Sequence, residues 1–450
     1  MAAPQRRQLH LVASAAAEPA PTRTGSIVAG TYTGVIQFTF AAACASIIFA
    51  PVNLPLAIGI QHGLVGFVVT QIIVAKTTGV RHGVALSVPS FEVLPFLAKF
   101  AVIVASAVGA SAAPGVVLAT VLAGSIFANL LGAVLMAAAS ELPVDDIDSL
   151  LPPPLQAGLF AAIGWGLYLL SFDTLGVATT MSSLFTRQAL RLWIPANILG
   201  VGLWKASRTL NSPLLIPAFI TAVTTLVHSV RLFNGCSILD ARAGGWLMAE
   251  VVGEPATALW RSLSPSLVRW DILFSAAALK QLVCAALFGP LINTVLNYVL
   301  YAPLIKQKLD LKTELRSHAM GTAAAAAVGG YSNYIGLSDT VIHRKIGGLD
   351  RFSCYWAAAV AGLFLCAYPL CGLVGYLPTH AIAGICVYVG CDFIYDNLVQ
   401  TTKDNGIKAG LVSATILAIC IWKDMLAGSL IGIVGAQAVG FWKRRQQKIE

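Results

Sequence analysis

An acidic residue, Glu92, lies in an apolar stretch where an ionised side chain is costly. The stretch reads GVALSVPSFEVLPFLAKF (83–100), and Pro89 is suited to the first turn of a helix that starts near Ser90. Glu92 would then lie in the first helical turn, where backbone N–H groups and the helix dipole attract negative charge. We therefore predict a role for Glu92 in binding a solute or moving a proton. Stabilisation of the helix end is the simpler alternative.

A second acidic residue, Asp339, has a similar setting in the other half of the chain. It lies in GGYSNYIGLSDTVIHRKIGG (329–348), where residues 332–337 have the pattern of an extended segment. Ser338 or Asp339 would cap a second short helix, and the cations at 343–345 suit its cytoplasmic end. We predict that Asp339 faces Glu92 across a cavity. Helix capping alone is again the alternative.

Other polar residues within apolar segments give weaker indications. Gln37 could line a cavity, and Asn293 and Asn297 share one helix face, although hydrogen bonds between helices explain all three. The sequence contains no phosphate-binding loop, zinc-protease motif or nucleophile elbow. The nine cysteines include no C-x-x-C pair. We therefore expect no enzyme activity, no catalytic residue, no metal and no cofactor.

The amino-acid composition indicates the class of protein to which these residues belong. Of the 450 residues, 57% are hydrophobic and only 11% are charged. Soluble domains carry about 25% charged residues, so a soluble enzyme, a nucleic-acid binder and a disordered scaffold are all poor interpretations. The net charge of +9 is typical of basic cytoplasmic loops on a membrane protein. The chain is predicted to be a multipass membrane protein.

Apolar segments long enough to cross a bilayer recur along the sequence. A spanning helix needs about 20 apolar residues, and eleven uninterrupted segments, given at the end of this paragraph, meet that length approximately. In addition to these, the stretches 86–110 and 313–347 are interrupted by proline, glycine and charge, and each could hold a half-helix and a full helix. The prediction is about fourteen helices in an all-α fold. The uninterrupted spans are predicted at 28–50, 54–76, 115–139, 154–174, 189–206, 212–230, 281–304, 352–376, 378–399, 406–422 and 424–442.

Basic residues indicate the orientation. The connections after the second, eighth, tenth and twelfth helices are basic, as is the C-terminus, which predicts that both termini are cytoplasmic. The connection after the fourth helix is an exception, with Glu141, Asp145, Asp146 and Asp148. The long connection 231–271 would then face outside or a lumen.

The two interrupted stretches are each the third element of their half, a pattern typical of transporters with inverted repeats. We predict two inverted repeats of seven helices separated by a long non-cytoplasmic connection. The predicted divisions are a disordered tail (1–27), the first repeat (28–230), the connection (231–271), the second repeat (272–443) and a basic tail (444–450).

Over residues 28–443 the chain resembles the membrane domain of the SulP sulfate-permease superfamily, in particular its divergent fungal-vacuolar-type branch. The likeness depends on the order and spacing of loose motifs. A STAS domain usually follows the last helix of this family and is not seen in the sequence, so the protein lacks it or the sequence is partial. The motifs are FEVLPF (91–96), LPPPLQAGLFAAIGWGLYLLSFD (151–173), RLWIPANILGVGLW (191–204), DLKTELRSHAMG (310–321) and the GGYSNY to Gly347-Gly348 stretch.

The resemblance implies core and gate domains and a substrate held between half-helices three and ten, beside the first helix. Asn297 stands where some members have an acidic residue in the eighth helix. The implied substrate-binding residues are Phe38, Val88, Ser90, Phe91, Glu92, Asn297, Leu337, Ser338 and Asp339.

One departure from the family bears on the substrate. Anion-transporting members commonly have a basic residue after the serine, where this chain has Asp339. We therefore predict a secondary transporter of a basic amino acid or another cationic solute, with proton coupling as an option. An inorganic anion such as sulfate is the second interpretation, and a non-transporting membrane protein of the same fold is the third.

The remaining predictions concern the binding partners of the protein and its location in the cell. The predicted partners are a small charged solute and the lipid bilayer, and no binding of nucleic acid is expected. A homodimer is compatible with a multipass membrane protein of this kind. A vacuolar or other endomembrane location is favoured over the plasma membrane.

Overall fold

The computed structural model describes residues 20–109, 114–142, 152–210, 212, 214–305 and 307–446. Almost all of its regular structure is helical, as the sequence predicts. The first half contains one short strand, β1 (Ser87–Pro89). Its helices are α1 (Arg23–Phe49), α2 (Leu56–Thr77), α3 (Leu94–Val108), α4 (Pro114–Ala139), α5 (Pro153–Thr174), α6 (Arg187–Thr209) and α7 (Leu215–Phe233).

The second half repeats this order after a connection that contains short helices. Its strand is β2 (Asn333–Ile335). Two of its helices contain π-helical turns, one at Leu287–Leu291 and one at Tyr395–Gln400. The helices are α8 (Ala276–Ala286 continuing through Ile292–Leu304), α9 (Leu311–Ala327), α10 (Leu337–Lys345), α11 (Arg351–Cys366), α12 (Thr379–Ile394 continuing through Thr401–Asn405), α13 (Ile407–Trp422) and α14 (Met425–Gln446).

The length and hydrophobicity of these helices fit a membrane-spanning protein. Among the described residues, seven helices are long and apolar enough to cross a bilayer, or eight if α11 is joined to the 3₁₀ helix that follows it at a bend of 83°. By contrast, α3 has 15 residues and α10 only nine, and a full crossing needs about 20. The two half-helices predicted from the interrupted stretches are therefore present, in a multipass all-α fold. The stretch 313–347 also contains most of the full helix α9, whereas the described part of 86–110 contains only β1 and α3, so the full helix predicted there is wrong.

The packing of the helices shows the inverted repeat. Helix α1 packs on α11, and its counterpart α8 packs on α4. Helix α2 likewise packs on α11, and its counterpart α9 on α4. These helices, together with the half-helices α3 and α10 that pack against them, form the core domain. In the gate domain α5 packs on α12, α6 packs on α12, and its counterpart α13 packs on α5. Exchanging the two halves leaves this pattern unchanged.

The first helix starts inside the segment predicted as a disordered tail. Helix α1 begins at Arg23, where the Thr22 hydroxyl accepts a hydrogen bond from the Gly25 N–H at 3.1 Å. The Ser26 hydroxyl donates to Asp350 at 2.9 Å, which ties this turn to the start of α11. The cap and this tertiary contact extend the helix beyond its apolar part. Residues 1–19 of the predicted tail lie outside the described residues, as do 447–450 of the C-terminal tail.

The acidic connection after α4 is partly explained by its neighbours. Glu141 forms ion pairs with Lys312 and Arg316 at the start of α9. The end of α4 and the start of α9 therefore lie on the same side of the protein, as the orientation prediction requires. Asp145, Asp146 and Asp148 lie outside the described residues.

Candidate functional site

The two extended segments before the half-helices pair with each other. Strands β1 and β2 are antiparallel, with Val88 opposite Tyr334. The pairing continues beyond both strands, because the Ser90 N–H donates to the Ser332 carbonyl at 3.0 Å and the Gly336 N–H donates to Leu86 at 2.9 Å. Irregular backbone at membrane depth needs such internal partners. The pairing also brings the starts of α3 and α10 close together.

Buried polar side chains form hydrogen bonds with backbone groups of the interrupted segments that the strand pairing leaves unpaired. The Gln71 amide donates to the Ala85 carbonyl at 3.0 Å and accepts from the Ser87 N–H at 2.7 Å. On the other segment, the Asn129 amide donates to the Gly330 carbonyl at 2.8 Å. Since an unpaired backbone group in an apolar interior is costly, these side chains hold both interrupted segments in place.

The second segment also lies against the backbone of α2. A Cβ atom on Gly66 would lie 2.7 Å from the Tyr331 nitrogen and closer still to the Tyr331 carbonyl oxygen. A Cβ on Gly330 would lie 2.6 Å from the Cα of Gly66. Only glycine allows two backbones to approach this closely.

A cavity of about 530 Å³ lies between core and gate at the starts of the half-helices. Both carboxylates predicted to face a cavity, Glu92 and Asp339, line it. It therefore brings together charged, hydroxyl and aromatic groups from both domains. The core residues that line it include Thr39, Phe40, Ala43, Val88, Pro89, Phe91, Glu92, Tyr334, Ser338, Asp339 and Lys345, and the gate residues include Ser207, Leu210, Ser212, Leu215, Ile216, Ile385, Tyr388, Val389 and Phe393.

Glu92 lies just before its helix, because α3 begins at Leu94 and not near Ser90. Pro89 belongs to β1, and Pro95 is the proline of the first helical turn. The Glu92 side chain is 4% exposed and accepts hydrogen bonds at 3.1 Å from the hydroxyls of Ser90 and Tyr334. These bonds fix the orientation of the carboxyl group beside the cavity.

Asp339 occupies the third position of α10, which begins at Leu337 with Gly336 as its N-cap. The prediction that Ser338 or Asp339 caps this helix is therefore wrong. Asp339 is half-buried and reaches the cavity from the first turn of the helix. Among the described residues no side chain forms a hydrogen bond with it, in contrast to Glu92.

Several residues predicted at the site lie elsewhere. Leu337 is buried and does not line the cavity. The ring of Phe38 stacks on Phe364 of α11 with centroids 4.6 Å apart, and Phe40 lines the cavity in its place. Asn297 donates to the Ile335 carbonyl at 2.6 Å and so supports β2.

Ser90 is also buried outside the cavity lining, where it holds Glu92. The sequence prediction missed Tyr334, although it lies in the GGYSNY motif, and it placed Lys345 only at the end of a helix. Because α10 is so short, Lys345 still reaches the cavity. The gate residues gave no chemical signal, since those that line the cavity are mostly apolar.

Comparison with known proteins shows the fold without naming a family. No family model matches the sequence, and no curated protein matches it. Among solved structures, the transmembrane domain of the cyanobacterial bicarbonate transporter BicA matches with a TM-score of 0.61 and 18% identity, over 92% of this chain and 98% of that one.

Two structures of SLC26A9 match as well. One has a TM-score of 0.64 and 12% identity, over 93% of this chain and 65% of that one. The murine anion transporter Slc26a9 in the inward-facing state has a TM-score of 0.63 and 14% identity, over 98% of this chain and 71% of that one. The chain thus has the fold of these transporter membrane domains. It spans about two thirds of the first SLC26A9 chain.

Proposed function

We propose that the protein is a secondary-active transporter of the SulP type that moves a small inorganic anion by alternating access. The observation that carries this proposal is the cavity between core and gate, into which two half-helix starts point from paired strands. Sites at broken helices near the membrane midplane are typical of transporters with inverted repeats. The shared fold with a bicarbonate transporter and an anion transporter supports the same function.

The proposed substrate differs from the one favoured by the sequence. The two acidic residues, Asp339 and Glu92, together with the resemblance to the fungal-vacuolar-type branch, favoured a basic amino acid. The structural relatives favour the anion interpretation. The site supplies positive potential from several sources. Each half-helix start contributes about half a positive charge, and Lys345 adds a cationic group to the lining. An anion in the cavity would meet these groups together.

In this proposal, the two carboxyl groups that line the cavity bind protons when the anion binds. The side chains that donate hydrogen bonds to Glu92 are the hydroxyls of Ser90 and Tyr334, and among the described residues no cation forms an ion pair with it. An ionised carboxylate buried without a cation is costly. When an anion occupies the cavity, Glu92 and Asp339 would carry protons and donate hydrogen bonds to it. Anion and proton would then cross together.

Uptake into proteoliposomes tests both substrate and coupling. Purified protein should take up radiolabelled sulfate or bicarbonate, faster when the outside is more acidic than the inside, and should ignore arginine and lysine. Empty liposomes and the Asp404→Asn variant serve as controls, since Asp404 is exposed and lies outside the cavity.

Two outcomes would contradict the proposal. Uptake of arginine without uptake of either anion would restore the cationic-solute interpretation. Absence of any flux from protein that remains folded would favour the non-transporting interpretation.

A further inference from the structure

A second cavity, of about 290 Å³, lies between core and gate and contains three lysines. Lys99 comes from α3 and Lys280 from the first turns of α8, both in the core domain. Lys423 comes from the junction of α13 and α14 in the gate domain. Lysines from both domains therefore converge on one space that the proposed transport site does not include.

The second cavity extends away from the first, from Pro95 near the start of α3 to Lys280 near the start of α8. Lys345 of the first cavity is adjacent to Arg344, which donates a hydrogen bond to Tyr301 near the end of α8. Lys280 lies about 20 residues earlier in the same helix, which corresponds to roughly 30 Å. The far ends of the two cavities, marked by Lys345 and Lys280, therefore lie toward opposite ends of α8.

An ion pair across the second cavity joins core to gate. The Lys280 ammonium lies 2.6 Å from the Asp424 carboxylate. Asp424 also accepts a hydrogen bond at 2.9 Å from the Ala427 N–H, which caps the start of α14. This ion pair holds the two domains together on the side away from the first cavity.

The charges around this cavity sum to a positive excess. Asp424 pairs with Lys280, and Asp173 on α5 is within electrostatic reach of Lys99. Lys423 lies over the Trp422 ring, 4.4 Å from its centroid. Three lysines against two aspartates leave one cation in excess, and the Gln281 amide in the lining can donate further hydrogen bonds.

We propose that the second cavity binds a small inorganic anion, which replaces Asp424 as the partner of Lys280 and so separates core from gate on this side. The identity of the ligand rests on the proposed function, because the same anion would then enter from here. Ammonium groups attract anions as point charges without demanding one geometry. A compact oxyanion such as sulfate fits a space of this volume.

Sulfate binding to the purified full-length chain tests the proposal. Trp165 lines the second cavity, so the fluorescence difference between wild type and Trp165→Phe reports on this site alone. Sulfate is titrated at constant ionic strength, with gluconate as the balancing anion. Lys99→Gln should weaken binding about fivefold to tenfold. Lys308→Gln, which alters an exposed lysine outside the cavity, should have no effect.

Asp424→Asn should act in the opposite direction. Removing the competing carboxylate frees Lys280, so sulfate should bind about threefold more tightly or better. A purely structural role for the ion pair predicts lower thermal stability without tighter binding, and that result would overturn the proposal. It would also be overturned if Lys99→Gln bound sulfate as wild type does.

Lipid is the other source of an anionic group, and a second arm distinguishes it. Binding is repeated in nanodiscs of phosphatidylcholine, with and without phosphatidylglycerol. Sulfate affinity that is equal in both supports the inorganic ion. Loss of sulfate binding with phosphatidylglycerol would overturn that assignment in favour of a lipid headgroup.

These measurements are independent of flux. Sulfate binding that depends on Lys99 in a protein that transports no anion would retain the second site and contradict the proposed function. Anion transport without sulfate binding that depends on Lys99 would support the proposed function and contradict the second site.

Discussion

The two interrupted segments perform the same structural task with different chemistry. The first presents Glu92 before its helix begins, buried and held by the hydroxyls of Ser90 and Tyr334. The second presents Asp339 within the first helical turn, more exposed and without a side-chain partner among the described residues. Equivalent positions in an inverted repeat therefore need not be chemically equivalent. We expect Glu92 to be the fixed member of the pair and Asp339 the responsive one.

The largest expected effect concerns how tightly the second segment is packed. Gly66→Ala places a methyl group against the Tyr331 backbone, which cannot move without disturbing β2. Overpacking of this kind costs about 1–3 kcal/mol. Thermal unfolding of the purified protein should show a lower midpoint.

Gly202→Ala is the matched control for this packing test. No atom lies within 4 Å of a Cβ at Gly202, which is inside α6. Alanine there should stabilise the helix by about 0.5–1 kcal/mol. Equal stability of both variants would show that the second segment tolerates more movement than its contacts indicate.

Asp339→Asn should remove much of the response of uptake to a proton gradient. A carboxylate about 4 Å from an anion repels it by about 4 kcal/mol at an effective dielectric of 20. Losing even a third of this term corresponds to about a tenfold change. The ratio of uptake with and without an inward acid gradient should fall about tenfold.

Glu92→Gln sharpens the comparison between the two carboxylates. Because Glu92 is already held by hydroxyls, its substitution should change the gradient ratio less than Asp339→Asn does. The reverse order would assign the responsive role to Glu92 and contradict the contrast drawn above.

Tyr334→Phe removes one of the two hydroxyls that fix Glu92. The lost hydrogen bond, 3.1 Å long, should contribute about 1 kcal/mol, or about fivefold in anion affinity. Competition between labelled and unlabelled sulfate measures this change. Tyr355→Phe on α11 is the control, since Tyr355 lies outside both cavities, and unchanged affinity in Tyr334→Phe would mean that Ser90 alone positions Glu92.

The smallest effect is expected at the surface contact between the two repeats. The ammonium of Lys312 and the guanidinium of Arg316 lower the pKa of the exposed Glu141 carboxyl to about 2. Because this pKa is lowered in the folded state, the stabilisation is present above the unfolded value of about 4.3. It should disappear as the pH falls toward 2.

Glu141→Gln tests this contact through its pH dependence. Exposed ion pairs contribute little, so the midpoint of thermal unfolding should differ from wild type by about 1 °C near neutral pH and converge with it in acid. A difference that grows in acid would contradict the sign given above.

The features that could be predicted from sequence follow from local rules. Hydrophobic length predicts the spanning helices, and the proline, glycine and charge in 86–110 and 313–347 predict both half-helices. The first helix start is misplaced because Pro89 is compatible with a strand as well as with a helical turn, and Pro95 serves the helix instead. Only the pairing with β2, which is distant in sequence, decides between them.

The residues of the site could be predicted where a side-chain type is rare in apolar segments. They could not be predicted where helix rotation or packing determines which residue faces the cavity. Glu92 and Asp339 stand out because carboxylates are few in apolar segments. Phe38 and Phe40 are chemically identical, and which of them faces the cavity depends on how α1 is rotated against α11. Asn297 shows a related limit, since a buried amide can hold a strand as well as contact a solute.

The pairing of β1 with β2 has a mechanical consequence. Separating the strands would expose several backbone groups in an apolar interior, each at a cost of several kcal/mol, so α3 and α10 must move as a single rigid unit. If the protein works by alternating access as proposed, a solute held by both would move together with its site. The same atoms would then contact the solute at the start and at the end of its route. A substitution at these contacts should therefore change influx and efflux by the same factor.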